Sequence, residues 1–324
     1  MRAVRCHELT GPGSLRVDEI AEPDVRAGQV LIDVRAAGVN FPDVLLTRGL
    51  YQFKPAPPFS PGGEAAGVVR AVGAGVTSLA PGDRVATTII YGAFAERLVV
   101  PEQAVVKLPD AVGFEVGAAT LLTYATTYHA LVDRAALRSG ETLLVLGAAG
   151  GVGIAAVELG ALLGARVIAA ASTDDKLAFC REHGAGDGIN YGREDLKDRI
   201  KALTKGNGVD VVYDPVGGAL AEPALRGTGW QGRYLVIGFA SGEIPKIPLN
   251  LVLLKGCQIV GVFWGAFAMR DPTSNRAHAE AIFRWVADGK LRPAIDATLP
   301  FAQAGEALAR LERRDVKGKL VLVP

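Results

Sequence analysis

The chain has few cysteines and histidines and no dominant charge, and each scarcity closes off a class of function. Three cysteines occur in 324 residues, Cys6, Cys180 and Cys257. An odd, scattered set without C-x-x-C spacing excludes a disulfide framework and fits a reducing compartment. The four histidines, His7, His129, His183 and His278, show no metal-ligand spacing. Basic residues number 35 against 34 acidic ones, a formal net charge of +1. With no basic block, neither nucleic acid nor a membrane surface is an expected partner. The stretch from Met1 to Glu8 is polar and lacks the apolar core of a secretory signal. The apolar stretch that begins at Leu143 is cut by Glu158, and its glycines fit a turn better than a membrane helix. A cytoplasmic location is expected.

What is present is a well-cored globular chain, 49% hydrophobic and 21% charged, long enough for about two domains. The first 120 or so residues read as β-rich, with strands expected at 29–36, at 64–73 and after the turn at Pro81-Gly82. Between them, residues 51–63 carry Pro55, Pro57, Pro58 and Pro61 and read as an extended surface loop of the kind that lines sites. From about Thr123 strand and helix patterns alternate. Strands are expected at 142–147, 166–171, 188–191, 209–214, 232–238 and 258–263, and helices at 174–183 and 193–204. Six strands joined by right-handed crossovers make a doubly wound parallel sheet. Two amphipathic helices, 277–288 and 302–313, and a strand at 319–323 are too little for a domain and are expected to fold back on the first one.

The pivotal stretch is the apolar run from Thr142 to Leu146, followed by Gly147-Ala148-Ala149-Gly150-Gly151-Val152-Gly153. A buried strand ending in glycines and opening directly into a helix brings main-chain N–H groups and a positive helix end to one spot. Such a spot binds a pyrophosphate. Against G-x-G-x-x-G the register is Ala148, Gly150, Gly153, so the first glycine is missing, and an ordinary glycine-rich turn is the alternative. An acidic residue that binds a ribose hydroxyl belongs about 20 positions later, where Ala171 and Ser172 stand. Nothing there repels a 2′-phosphate, and Ser172, Thr173 and Lys176 offer two hydroxyls and an ammonium. NADPH is therefore expected over NADH, with Asp174-Asp175 read as a helix cap and a solvated surface lysine as the other reading of Lys176.

These residues resemble the zinc-independent quinone oxidoreductase (zeta-crystallin-like) family of the medium-chain dehydrogenase/reductase superfamily, from end to end. The likeness rests on Ala36-Ala37-Gly38-Val39-Asn40-Phe41-Pro42-Asp43, Pro61-Gly62-Gly63-Glu64-Ala65-Ala66-Gly67-Val68-Val69, Ala148-Ala149-Gly150-Gly151-Val152-Gly153, Val209-Asp210-Val211-Val212-Tyr213-Asp214-Pro215-Val216-Gly217-Gly218, and Gly238-Phe239-Ala240-Ser241-Gly242-Glu243-Ile244-Pro245. The last, with Val262-Phe263-Trp264-Gly265, resembles a branch called quinone oxidoreductase-like. The resemblance implies an α/β protein: a GroES-like β-rich catalytic domain, 1–122 completed by 266–324, and a Rossmann NADPH-binding domain, 123–265. It implies NADPH-dependent reduction of a quinone by hydride transfer in the interdomain cleft. Zinc-dependent relatives carry Cys where this chain has Asn40 and His where it has Gly63, and no metal is expected.

By the same resemblance Asn40 and Tyr51 stand beside the nicotinamide, where a neutral amide or a phenol can donate to the acceptor oxygen as it gains charge. Read from the residues alone, Asn40 is equally a turn residue between Gly38 and Pro42, and Tyr51 a loop aromatic packed on prolines. Cofactor contacts are implied for Gly150, Gly151, Val152 and Gly153, for Ser172, Thr173 and Lys176, and for Thr126, Tyr191, Phe239, Ser241, Phe263 and Arg314. Many relatives have a tyrosine where this chain has Leu45, which suits a more apolar acceptor. The sixth strand of the cofactor domain implies a homodimer. The competing readings are a 2-alkenal, enone or enoyl-CoA reductase, for which only Arg48 and Lys54 supply basic residues near the loop, and a low-turnover NADPH-binding structural or regulatory protein.

Overall fold

Leu143, Leu144, Val145 and Leu146 are wholly buried, as a strand covered on both faces must be when it reads as one apolar run. They form β1 (Thr142–Leu146), the inner strand of a six-stranded sheet. The other strands are β2 (Arg166–Ala171), β3 (Asp187–Asn190), β4 (Val209–Asp214), β5 (Thr228–Val236) and β6 (Gln258–Gly261). Their order is β3-β2-β1-β4-β5-β6, and every pair is parallel. The chain starts at the centre, runs out to β3, then returns beside β1 and runs out to β6. That reversal makes a switch point between β1 and β4, where such sheets bind ligands at the carboxyl ends of the strands. The connecting helices include α1 (Gly151–Leu162), α2 (Asp174–Glu182), α3 (Leu196–Leu203), α4 (Ala221–Gly227) and α5 (Leu249–Lys255).

This computed structural model describes all 324 residues, Met1 to Pro324. It divides into two units: residues 123–270 with 290–292, which hold the parallel sheet, and residues 1–122 with 271–289 and 293–324. Several sequence boundaries move. The fifth strand starts at Thr228, because Thr228 pairs with Val209 ahead of a bulge. The sixth stops at Gly261, and Trp264–Arg270 turns helical within the parallel-sheet unit.

The other unit is built on a seven-stranded, mainly antiparallel sheet. Its central strand, Gln29–Val39, pairs with Glu64–Val72, Arg97–Pro101 and Lys319–Val323. The pairing of Leu320 with Val39 brings Lys319 opposite Asn40, and the pairing of Gly38 with Glu64 brings a carboxylate to the same end. A short helix, Phe41–Thr47, leaves directly from that end with Asn40 as its N-cap. The amphipathic helices are Pro272–Ala287 and Ala304–Glu312, the first starting five residues before its expected position because Asp271 caps it through Ser274. No helix is long and apolar enough to cross a membrane.

Candidate dinucleotide and acceptor sites

The glycine turn follows from backbone geometry. Gly147 takes φ +57°, a left-handed conformation that favours glycine, and so bends the chain where β1 ends. The first glycine of the motif is thus displaced by one position rather than lost. The Ala148 N–H donates to the Ala170 carbonyl at 3.1 Å and the Gly150 N–H to the Gly147 carbonyl at 3.0 Å. A Cβ on Gly153 would stand 2.3 Å from the Gly147 oxygen, so α1 lies this close to the turn only because residue 153 is glycine. A Cβ on Gly150 would meet only the Gly147 oxygen, at 3.4 Å, so this face of the turn stays open. No side chain caps α1 at Gly150, which leaves its first N–H groups and its positive end available to an anion.

Ser172 follows β2, and Thr173 caps α2 by accepting from the Lys176 backbone N–H at 3.2 Å. That bond leaves the Thr173 hydroxyl proton free to donate. The expectation that Asp174 and Asp175 cap this helix is corrected: the cap is Thr173. Asp174 instead accepts from Asn190 Nδ2 at 2.9 Å and Arg193 at 2.8 Å. Asn190 first, and then the Arg193 charge, hold its carboxyl below the usual range. Past β3, the Tyr191 N–H donates to the Ala171 carbonyl at 3.1 Å, and a Cβ on Gly192 would stand 2.7 Å from the Ser172 oxygen. The turn carrying Tyr191 and Arg193 therefore lies on the segment carrying Ser172. Arg193 was not singled out from the sequence; its signal was a basic residue just past Tyr191.

Because all six strands are parallel, their carboxyl ends share one edge of the sheet. Gly150–Gly153, Ser172, Thr173, Lys176 and Tyr191 follow β1, β2 and β3 on that edge. Phe239 and Ser241 follow β5 there, where a Cβ on Gly217 or Gly218 would press on them at 2.8 and 2.7 Å. Phe263, 63% exposed, follows β6. Thr126 lies earlier in the same unit, in a helical turn, Thr126–Tyr128, between two π-helical stretches, Leu121–Ala125 and His129–Arg134. Arg314 belongs to the other unit, in a left-handed conformation at φ +58° just past Ala304–Glu312.

Asn40 sits in a buried polar cluster of that other unit. Its backbone N–H donates to Asp43 Oδ2 at 2.8 Å. Its side-chain amide donates to the Gly38 carbonyl and to Glu64 Oε2, each at 3.2 Å, and accepts from the Lys319 ammonium. Both amide hydrogens are engaged within the protein, so the expected donation from Asn40 to an acceptor oxygen is not what this geometry provides. Lys319 also donates to the Val39 carbonyl and to Glu64 Oε2, each at 3.1 Å. The Leu122 N–H donates to Glu64 Oε1 at 2.8 Å, and the Gly62 N–H to Asp43 Oδ1 at 3.2 Å. Gly38 is glycine because a Cβ there would lie 2.1 Å from the Ala118 oxygen and 2.6 Å from the Glu64 carboxylate. Burial drives the Asp43 carboxyl up to about 7, against the pull of the Asn40 and Gly62 N–H groups and the Lys319 charge.

Tyr51 packs beside Cys6, Leu46 and Phe59. Burial first, and then the Asp43 charge, push its phenol up. Nearby, Phe53 and Tyr91 stack with ring centroids 5.9 Å apart, and Phe59 meets Tyr91 edge-on. Leu50, Phe53, Ile90 and Tyr91 are exposed around this aromatic group. Lys319, Glu64 and Asp43 were all missed as site residues. Glu64 and Asp43 lie inside the motifs that carried the resemblance, whereas Lys319 had no local signal.

Residues 26–110 match the alcohol dehydrogenase GroES-like domain, and residues 151–280 match the zinc-binding dehydrogenase family. No group of three or more His, Cys, Asp or Glu side chains is placed to hold a metal ion, and Asn40 meets an ammonium instead. The chain is 40% identical to a quinone oxidoreductase-like protein 2 homolog of Nematostella vectensis, over 99% of this chain and 88% of that protein. It is 32% identical to a quinone oxidoreductase of Homo sapiens, over 100% and 98%. The crystal structure of an Escherichia coli quinone oxidoreductase complexed with NADPH superimposes with a TM-score of 0.94 at 30% identity, with all of both chains covered.

Proposed function

Because the chain belongs to the quinone oxidoreductase family of the medium-chain dehydrogenase/reductase superfamily, we propose that it is an NADPH-dependent, metal-free reductase whose acceptor is a quinone. The donor set at the end of β2 carries the cofactor reading. Ser172, Thr173 and Lys176 stand there, and the nearby Asp174 carboxylate is already occupied by Asn190 and Arg193. The open face at Gly150 and the uncapped start of α1 fit a pyrophosphate. Once bound, NADPH supplies a hydride, and the protein's part is to orient it and to stabilise the charge that grows on the acceptor.

Tyr51 is the residue we assign to that charge. Its raised titration keeps the phenol protonated through the working range. A donor aimed at an oxygen that gains charge during the reaction lowers the barrier more than it strengthens substrate binding. Asn40, with its amide already engaged, supports the loop rather than contacting the acceptor. Leu45 and the exposed Phe53 and Tyr91 suit a planar, apolar acceptor.

The outer edge of β6 lies beside exposed Ile259 and Phe263, and Trp230, Leu249 and Leu253 are exposed on the same unit. An open apolar edge of this kind supports a homodimer formed through β6. The three buried, unpaired cysteines support a cytoplasmic setting.

NADPH oxidation by the purified protein against a naphthoquinone, a benzoquinone, a 2-alkenal and an enoyl-CoA, with NADH in parallel, tests the proposal. Rapid turnover with quinones and NADPH is the expected result. Turnover confined to the alkenal or the thioester makes the protein an ene reductase, and tight NADPH binding without turnover makes it a binding protein.

A further inference from the structure

Lys319 and Glu64 form an ion pair that is almost wholly buried, Lys319 at 3% exposure and Glu64 at 0%. Burying two charges is costly, and apolar replacements of such pairs are often neutral or stabilising, so stability alone accounts poorly for this pair. Its partners are specific. The ammonium has three recipients, the Val39 carbonyl, the Asn40 amide oxygen and Glu64 Oε2, which account for its three hydrogens. The amide orientation of Asn40 is thereby fixed, oxygen toward the lysine and nitrogen toward Gly38 and Glu64. From Asn40 the connection passes to Asp43 through the backbone N–H, and the Asp43 charge acts on Tyr51.

We propose that Lys319 and Glu64 are positioning residues for the reduction step: their ion pair fixes Asn40 and, through the Asn40 N–H, the Asp43 carboxyl at the start of the helix that leads toward Tyr51. This inference rests on the assignment of Tyr51 to the acceptor oxygen. The groups facing Asp43 are the Lys319 ammonium from the strand Lys319–Val323, the Glu64 carboxylate from the strand Glu64–Val72, the Gly62 N–H from the preceding loop and the Asn40 N–H at its own N-cap; Tyr51 feels its charge in turn. A neutral Asp43 favours negative charge growing on the acceptor, and a charged one opposes it. Turnover therefore falls as the pH rises past about 7, where this carboxyl titrates. Lys319 holds that titration down and Glu64 pushes it up, so removing one or the other moves the falling limb in opposite directions.

The experiment is kcat against pH, between about 5 and 9, with a naphthoquinone and saturating NADPH. It compares the intact protein with Lys319→Met, Lys319→Arg, Glu64→Gln and Tyr51→Phe, with NADPH affinity from fluorescence and folding from thermal melts. Lys319→Met is expected to lower kcat by about tenfold and raise the limb by about one pH unit. Glu64→Gln lowers the limb by a similar amount, and Lys319→Arg restores most of the rate and the original limb. NADPH affinity stays unchanged in all of them, and a merely structural role would not move the limbs in opposite directions. Limbs that stay in place, or that move in the same direction, overturn the inference. Should Lys319→Met fail to fold, Glu64→Gln decides alone. Unchanged kcat in Tyr51→Phe defeats the assignment of Tyr51 itself, whereas a slow Tyr51→Phe with unmoved limbs in the other variants defeats only the positioning role.

Discussion

At the glycine turn the backbone that would hold an anion is almost all local, from Gly147 to Gly153. At the buried polar cluster around Asn40, Lys319 meets Asn40 from 279 residues away and Glu64 from 255. The first site is made by main-chain geometry and needs small residues. The second is made by side-chain charge and needs strand register. A defect in the turn should therefore disable binding of the cofactor, and a defect in the cluster should disable turnover while binding survives.

The sharpest break in that contrast is Gly153→Ala. Its new Cβ would lie 2.3 Å from a backbone oxygen, so we expect a stability loss of about 3 kcal/mol and at least a ~100-fold loss of NADPH affinity, by melting and fluorescence titration. Gly150→Ala, with room at 3.4 Å, is expected to fold normally and lose affinity only. Next in size, Tyr51→Phe should lower kcat with a quinone by about 100-fold and leave NADPH affinity intact in steady-state and binding assays. An equal loss in both would show that the two regions are not separable.

Smaller again is Lys176→Ala, which should weaken NADPH binding by about tenfold and NADH binding hardly at all, in parallel titrations. Equal losses would remove the 2′-phosphate assignment. The smallest effect is on stability. The folded Asp43 carboxyl titrates at about 7, above its ordinary 3.8. The stability contributed by its protonated form is thus fully present below about pH 4 and is lost as the pH rises through about 7. The melting temperature should fall by a few degrees (about 2–5 °C) between pH 5 and 8, and Asp43→Asn should flatten that slope.

The sequence was most legible where structure is local. The run Leu143–Leu146, the glycines after it and the missing acid at Ala171 could each be read from neighbouring residues, and the parallel sheet followed from their repetition. Gly147 hid the motif's first glycine because only the observed φ shows which residue makes the turn. The helix cap was misplaced by one residue because Thr173 and Asp174 are both good capping types, and only the Lys176 N–H decides between them. Asn40 lies in a motif that is legible locally, but its hydrogen bonding depends on Lys319, and no local pattern ties a lysine in the strand 319–323 to an asparagine near residue 40. Pairwise strand register supplied that link.

The distance between Lys319 and Asn40 also has a bearing on the order in which the chain assembles. Residues 123–270 lie between them and make up nearly all of the parallel-sheet unit. During synthesis the nucleotide-type fold emerges almost whole, from contiguous chain, while the amino-terminal sheet still waits for the strand that carries the lysine. Contacts of such long separation form late. Until Lys319 arrives, Glu64 has no cation beside it, and the nascent chain can acquire a nucleotide-binding fold before it has a finished catalytic one.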